Sequence, residues 1–224
     1  MFCSEKDRGV AKKQKIFGLY AIIDASLVDL NLSAEIAKEL VTGGVSVIQL
    51  RAKGVSAGLT LSCAKEITTI TKAAGVPFII NDRADIAKLS DADGIHLGQY
   101  DAPPTKVREL LGANAIIGLS THNLKEAKTA EVLYNNQIID YISVGTIFDT
   151  TTKKDTEAVV GLEQLREITS CVQVPVTAIG GINEGNLKSV LEARPRAVAI
   201  ISDILKSKDI ASKCTSLLNI IKNN

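Results

Sequence analysis

The chain has 224 residues, long for one small domain and short for two, a size at which a single α/β barrel can bury a substantial core. Apolar residues make up 46% and charged residues 23%, which excludes a disordered or fibrous chain. Twenty-six Lys and Arg against 25 Asp and Glu leave a formal charge of +1, so no global field draws nucleic acid or an anionic membrane, and phosphate binding must come from local arrangement.

Residues 1–15, basic around Lys12, Lys13 and Lys15, lack the apolar core of a secretory signal and read as a flexible extension ahead of one domain, 16–224. No apolar run approaches the ~20 residues that span a bilayer, so the expected location is cytoplasmic. Cys3, Cys63, Cys171 and Cys214 are far apart and form no Cys-x-x-Cys pair, which points to reduced thiols rather than a redox or metal site.

From Gly18 onward, short apolar runs alternate with amphipathic stretches, the pattern of β-α units building a parallel sheet. The runs are 18–24, 45–51, 77–82, 94–98, 115–120, 141–148, 175–181 and 197–202. Several are nearly continuously apolar, as strands covered on both faces should be. Between them lie helical segments such as 33–44, opened by Ser33 and closed by glycine, then a short one after Asp82, then 123–136 behind an Asn cap, 162–169, 183–193 and 209–223. Eight units without a long linker favour a single (β/α)8 TIM barrel; an open doubly wound sheet is the alternative.

In such a barrel the loops at the carboxyl ends of the strands converge on one mouth. There the sequence places Gln49, Arg51 and Lys53, then Asn81 and Asp82, Gln99 and Asp101, and Ser120, Thr121 and His122. The run from Asp149 to Asp155, the turn Gly180-Gly181 and Ser202 follow. Gln49, Arg51 and Lys53 alternate, so an amide, a guanidinium fork and an ammonium are expected to face one anionic ligand. Otherwise Arg51 is a buried charge that needs a carboxylate, Asp24 or Asp82. Asp82 and Asp101 end neighbouring strands, where two carboxylates can hold a magnesium ion that also takes water and phosphate oxygens; pairing of each with a nearby Lys or Arg is the bland alternative. Gly180-Gly181 with Ile201 and Ser202 sits where these barrels often bind phosphate.

Taken in order, QLRAK (49–53), INDRADIA (80–87), DGIHLGQYD (93–101), GLSTH (118–122), DYISVGTIFDTTTKKD (140–155), PVTAIGGI (175–182) and AIIS (199–202) resemble the thiamin-phosphate synthase family over nearly the whole barrel. The resemblance implies two substrates, a 4-amino-2-methyl-5-hydroxymethylpyrimidine diphosphate and a 4-methyl-5-(2-hydroxyethyl)thiazole phosphate, with magnesium (Mg2+) as cofactor and pyrophosphate as leaving group. It assigns Gln49, Arg51, Lys53, Asn81, Ser120 and Lys153 to the pyrimidine diphosphate, with Arg51, Lys53 and Lys153 catalytic. It assigns Asp82 and Asp101 to the metal, and Thr150, Thr152, Gly181, Ile201 and Ser202 to the thiazole phosphate. Thr146 stands where relatives often have Pro, and the strand-seven glycines follow Ala-Ile; neither departure is expected to touch a ligand. The implied mechanism is dissociative, because an aminopyrimidine can carry positive charge on its methylene carbon before the thiazole nitrogen attacks.

Two other readings belong to the same residues. A sister thiazole tautomerase would use His122 as a proton shuttle, against the expectation that His96 and His122 are wall or packing residues. A barrel that binds phosphate without catalysis would keep the fold alone. The segment 149–159 reads as a lid, and a homo-oligomer is left open.

Overall fold

The computed structural model describes residues 16–150 and 159–224. Thr152, Lys153, most of the expected lid and the expected 1–15 extension lie outside them.

The strands are β1 (Gly18–Asp24), β2 (Val47–Arg51), β3 (Phe78–Asn81), β4 (Gly94–Leu97), β5 (Ile116–Thr121), β6 (Tyr141–Val144), β7 (Val176–Ile179) and β8 (Ala197–Ile200). Each pairs in parallel with its successor, and β8 pairs with β1 from Gly18 opposite Ala197 to Ala21 opposite Ile200. That last ladder closes the barrel and excludes the open sheet, in which the outer strands would be left unpaired.

Around it stand α1 (Ser33–Thr42), α2 (Ala57–Ala74), α3 (Ala84–Ser90), α4 (Pro104–Leu111), α5 (Leu124–Asn135), α6 (Gly161–Cys171), α7 (Leu187–Leu191), α8 (Ser202–Leu205) and α9 (Ile210–Lys222). Among the described residues no helix is long and apolar enough to cross a membrane.

Strand residues alternate between two apolar clusters. Leu19, Ala21, Ile23, Ile48 and Leu50 join the large layer between sheet and helices, while Tyr20, Ile22, Val47, Ile79, Ile116, Tyr141 and Ala199 fill the barrel interior. Burial on both faces explains the continuous apolar runs. The period of two then carries the inward phase from Val47 to Gln49 and Arg51, from Ile79 to Asn81, and from Ile116 through Gly118 to Ser120.

Local expectations are corrected in three places. Ser33 does not cap α1. Asp29 accepts from the backbone of Asn31 and opens a 3-10 turn, Leu30–Leu32, that leads into the helix, and the Ser33 hydroxyl is buried without a hydrogen-bond partner among the described residues. The sixth apolar run stops pairing as a strand at Val144. Its remainder crosses to the next strand end, where Ile147 and Phe148 donate to the carbonyls of Ile179 and Gly180. The eighth run ends at Ile200, and Ser202 opens the short helix α8. Asn123 and Asp209 do cap α5 and α9, accepting from the backbone of Glu126 and Ser212.

Candidate active site

The carboxyl ends of the strands bring the charged groups together. β2 ends at Arg51, so Lys53 stands in the turn beyond it rather than on the strand. The three alternating residues consequently reach separate partners. Gln49, buried, donates Nε2 to the Tyr20 hydroxyl at 2.8 Å. Arg51 Nη1 lies 2.8 Å from Asp24 Oδ2, and Asp24 also accepts from the backbone and hydroxyl of Ser26. Asp24 is thus the carboxylate that a buried Arg51 requires. A guanidinium carries five donors, so one contact does not exhaust it.

Lys53 Nζ lies 3.2 Å from Asp82 Oδ2. Asp82, just past β3, has a positive φ of 63°, and its carboxyl lies within hydrogen-bonding reach of Asp101. Burial, and after it the carboxyl of Asp101, pushes the Asp82 carboxyl above its ordinary range, while the Lys53 ammonium works in the opposite direction. Asp101 is held by the backbone N–H of Gly98 at 2.6 Å. Two carboxyl groups in contact with one exposed ammonium beside them form a set that a divalent cation would neutralise. Among the described residues no group of three or more His, Cys, Asp or Glu could hold a metal. An ion held by this pair alone would fill its remaining positions with water and ligand oxygens.

Across the mouth, the loops after β7 and β8 are tied to each other and to α9. Glu184 N donates to Asp203 Oδ2 at 2.9 Å, and Lys213 Nζ reaches Glu184 at 2.7 Å and Asp203 at 3.1 Å. Gly180 and Gly181 both have positive φ. A Cβ on Gly181 would sit 2.7 Å from the Asp149 carbonyl oxygen and from Phe148 Cβ, so glycine is required for the β6 loop to lie against this turn. Thr146 is nearer to this turn than expected, since a Cβ on Gly180 would meet Thr146 Cγ2 at 2.5 Å. Ile201 packs on the interior cluster, Ser202 begins α8, and Thr150 ends the described part of the β6 loop.

Asn81 and Ser120 point inward on β3 and β5, and Ser120 Oγ lies 3.1 Å from His96 Nε2. His122, one residue before the Asn123 cap, is held by Glu126 at the start of α5, with its backbone N 2.8 Å and Nδ1 3.1 Å from Glu126 Oε2. Tyr20, Tyr141 and Ser143, absent from the expected site, line its floor with His96. The signal was there to read: phenols and an imidazole on the inward phase of buried strands need polar partners.

Comparisons with known proteins bear on the family and the fold. Residues 19–204 match the family of thiamine monophosphate synthase. The chain is 41% identical over 202 residues to the thiamine-phosphate synthase of Clostridium botulinum (strain Loch Maree / Type A3), covering 90% of this chain and 97% of that one. It is 41% identical over 204 residues to that of Clostridium novyi (strain NT), covering 91% and 98%. Among solved structures it resembles a thiamine phosphate pyrophosphorylase from Pyrococcus furiosus, with a TM-score of 0.82, 33% identity, and coverage of 94% and 98%. Agreement along nearly the whole length, on a closed barrel whose mouth gathers these cations and carboxylates, makes this chain a member of the thiamine monophosphate synthase family and an enzyme of the transferase class.

Proposed function

We propose that the chain joins 4-amino-2-methyl-5-hydroxymethylpyrimidine diphosphate to 4-methyl-5-(2-hydroxyethyl)thiazole phosphate, giving thiamin phosphate and pyrophosphate. The observation that carries this reading is the meeting of Lys53, Asp82 and Asp101 at one mouth, with Arg51 on the adjoining strand end. Asp82 and Asp101 would hold the magnesium ion, which when bound neutralises charge on the diphosphate oxygens.

The residues have one electrostatic task. The bond from the methylene carbon to the diphosphate oxygen breaks with both electrons leaving on oxygen, and the cation left on carbon is shared with the amino-substituted ring. Arg51, Lys53 and Lys153 stabilise the departing anion. Gln49, Asn81 and Ser120 orient the pyrimidine diphosphate. Thr150, Thr152, Gly181, Ile201 and Ser202 hold the thiazole phosphate so that its ring nitrogen lone pair forms the new C–N bond. No protein nucleophile is needed.

A pyrophosphate-release assay tests the reading. Release should require both substrates and magnesium. Thiazole isomerisation without pyrophosphate would instead identify a tautomerase, and binding without turnover of either substrate would leave a phosphate-binding barrel.

A further inference from the structure

A chain of hydrogen bonds runs under the mouth from β2 to β5. Gln49 Nε2 donates to Tyr20 Oη at 2.8 Å, and the hydroxyls of Tyr20 and Tyr141 lie 3.0 Å apart. Tyr141 Oη is 3.0 Å from His96 Nδ1, and His96 Nε2 is 3.1 Å from both Ser120 Oγ and Ser143 Oγ. Gly118 makes the arrangement possible, because a Cβ there would lie 2.2 Å from Tyr141 Cζ and 2.4 Å from His96 Nδ1.

Counting protons gives the chain a direction. An amide nitrogen only donates, so Tyr20 accepts from Gln49 and must place its own proton on Tyr141. Tyr141 then donates to Nδ1, so the count places the imidazole proton on Nε2, facing the two serines. Burial raises both phenols above their ordinary range, so each keeps its single proton. With Nε2 committed inward, the Gln49 carbonyl oxygen is the half of the carboxamide left for a ligand. Reversal would require the amide to flip, both hydroxyls to turn and the imidazole to change tautomer together.

We propose that Tyr20, Tyr141 and His96 are positioning residues that hold Gln49 with its oxygen toward the mouth. The site thereby selects a ring that offers an N–H donor there, the amino group of an aminopyrimidine, over the same ring bearing an oxygen acceptor. This rests on the reading in which Gln49 meets the pyrimidine. In Tyr141→Phe the Tyr20 proton loses its acceptor and turns to Gln49, whose carboxamide rotates to receive it and shows its NH2 to the mouth. The ring preference should then fade, whereas general damage to the mouth would weaken both rings alike.

The test is calorimetric binding of two unreactive ring alcohols, 4-amino-2-methyl-5-hydroxymethylpyrimidine and its 4-oxo counterpart, with pyrophosphate and magnesium present. The unsubstituted chain should prefer the amino ring by roughly 100-fold, the effect of leaving one buried polar group unpaired. Tyr141→Phe should bring the two within about tenfold of each other, with helical circular dichroism retained. Tyr20→Phe, which frees the same amide from the other side, should do likewise and serves if Tyr141→Phe does not fold. A preference kept in the folded variants overturns the relay and leaves the pyrimidine assignment standing. No preference in the unsubstituted chain, or no binding of either ring, removes that assignment and the relay with it.

Discussion

Asp82 and Asp101 touch at the mouth, and among the described residues the exposed ammonium of Lys53 opposes the charge of Asp82. In the absence of metal such a pair costs stability, because burial and like charge both disfavour ionisation of Asp82. Asp101→Asn keeps an oxygen for the Gly98 N–H and removes one charge. In a chelator the variant should therefore melt higher than the parent by about 2–4 °C, the shift expected from ~1 kcal/mol in a chain of this size. In the pyrophosphate-release assay it should need about tenfold more magnesium or worse. A lower melting temperature in chelator would show that the two carboxylates do not repel. Lys153 lies outside the described residues, and the proposed function sets its charge against the leaving diphosphate. Losing one such contact costs on the order of 3 kcal/mol of barrier, so Lys153→Ala should lower kcat roughly a hundredfold. The KM for thiazole phosphate should change little, and the reverse pattern in steady-state kinetics would count against the role.

At the scale of elements, Gly118 shows how a strand is shaped by what crosses behind it. An added methyl would collide with Tyr141 and His96 at once, neither of which can move without breaking a hydrogen bond. Gly118→Ala should therefore cost about 1–3 kcal/mol of stability, read as a lower urea midpoint with an unchanged slope. The barrel was legible in the sequence because buried parallel strands write themselves as continuous apolar runs, and all eight lie where those runs predict. Their ends were less legible. Ile147 and Phe148 are as apolar as strand residues but bond to the end of β7, and nothing in composition separates the two fates. Ser33 carries the sequence signal of a cap, yet the 3-10 turn begun at Asp29 takes up the chain's entry into α1. In the site, the spacing of Gln49 and Arg51 foretold their shared inward phase on β2. The departure of Lys53 toward Asp82 depends on the turn after Arg51 and on a backbone angle at Asp82 that the residue type does not announce. The Tyr20, Tyr141 and His96 chain joins residues far apart in sequence, so its pairing needed the closed barrel.

The whole molecule is a ring of strands without an edge, and that has a measurable consequence. The last helix, α9, buries Ile210, Cys214 and Leu217, and its packing is tight: a Cβ on Gly43 at the end of α1 would lie 2.6 Å from Cys214 Cβ. Beneath it β1 pairs with both β2 and β8, so α9 covers the seam where the barrel closes. Exposing Cys214 therefore means opening that seam, and in a closed barrel this is expected to coincide with global unfolding. Burial, with the nearby charge of Glu39 second, pushes the Cys214 thiol up to about 12. At pH 8 the folded chain thus holds only about one thiolate in ten thousand at this position. In a chain with Cys3 and Cys171 replaced by Ser, thiol labelling should follow the same urea curve as loss of helical circular dichroism. Labelling at lower urea would mean that α9 or the Cys63 helix opens by itself. The same thiol sets a pH dependence. Its pKa is higher folded than the usual 9.0, so the unfolded chain releases this proton first and stability falls as pH rises from about 9 toward 12. Cys214→Ala should reduce the slope between about pH 9 and 10, before the buried phenols of Tyr20 and Tyr141 add theirs, while lowering stability at pH 7, and an unchanged slope there would place the titration elsewhere.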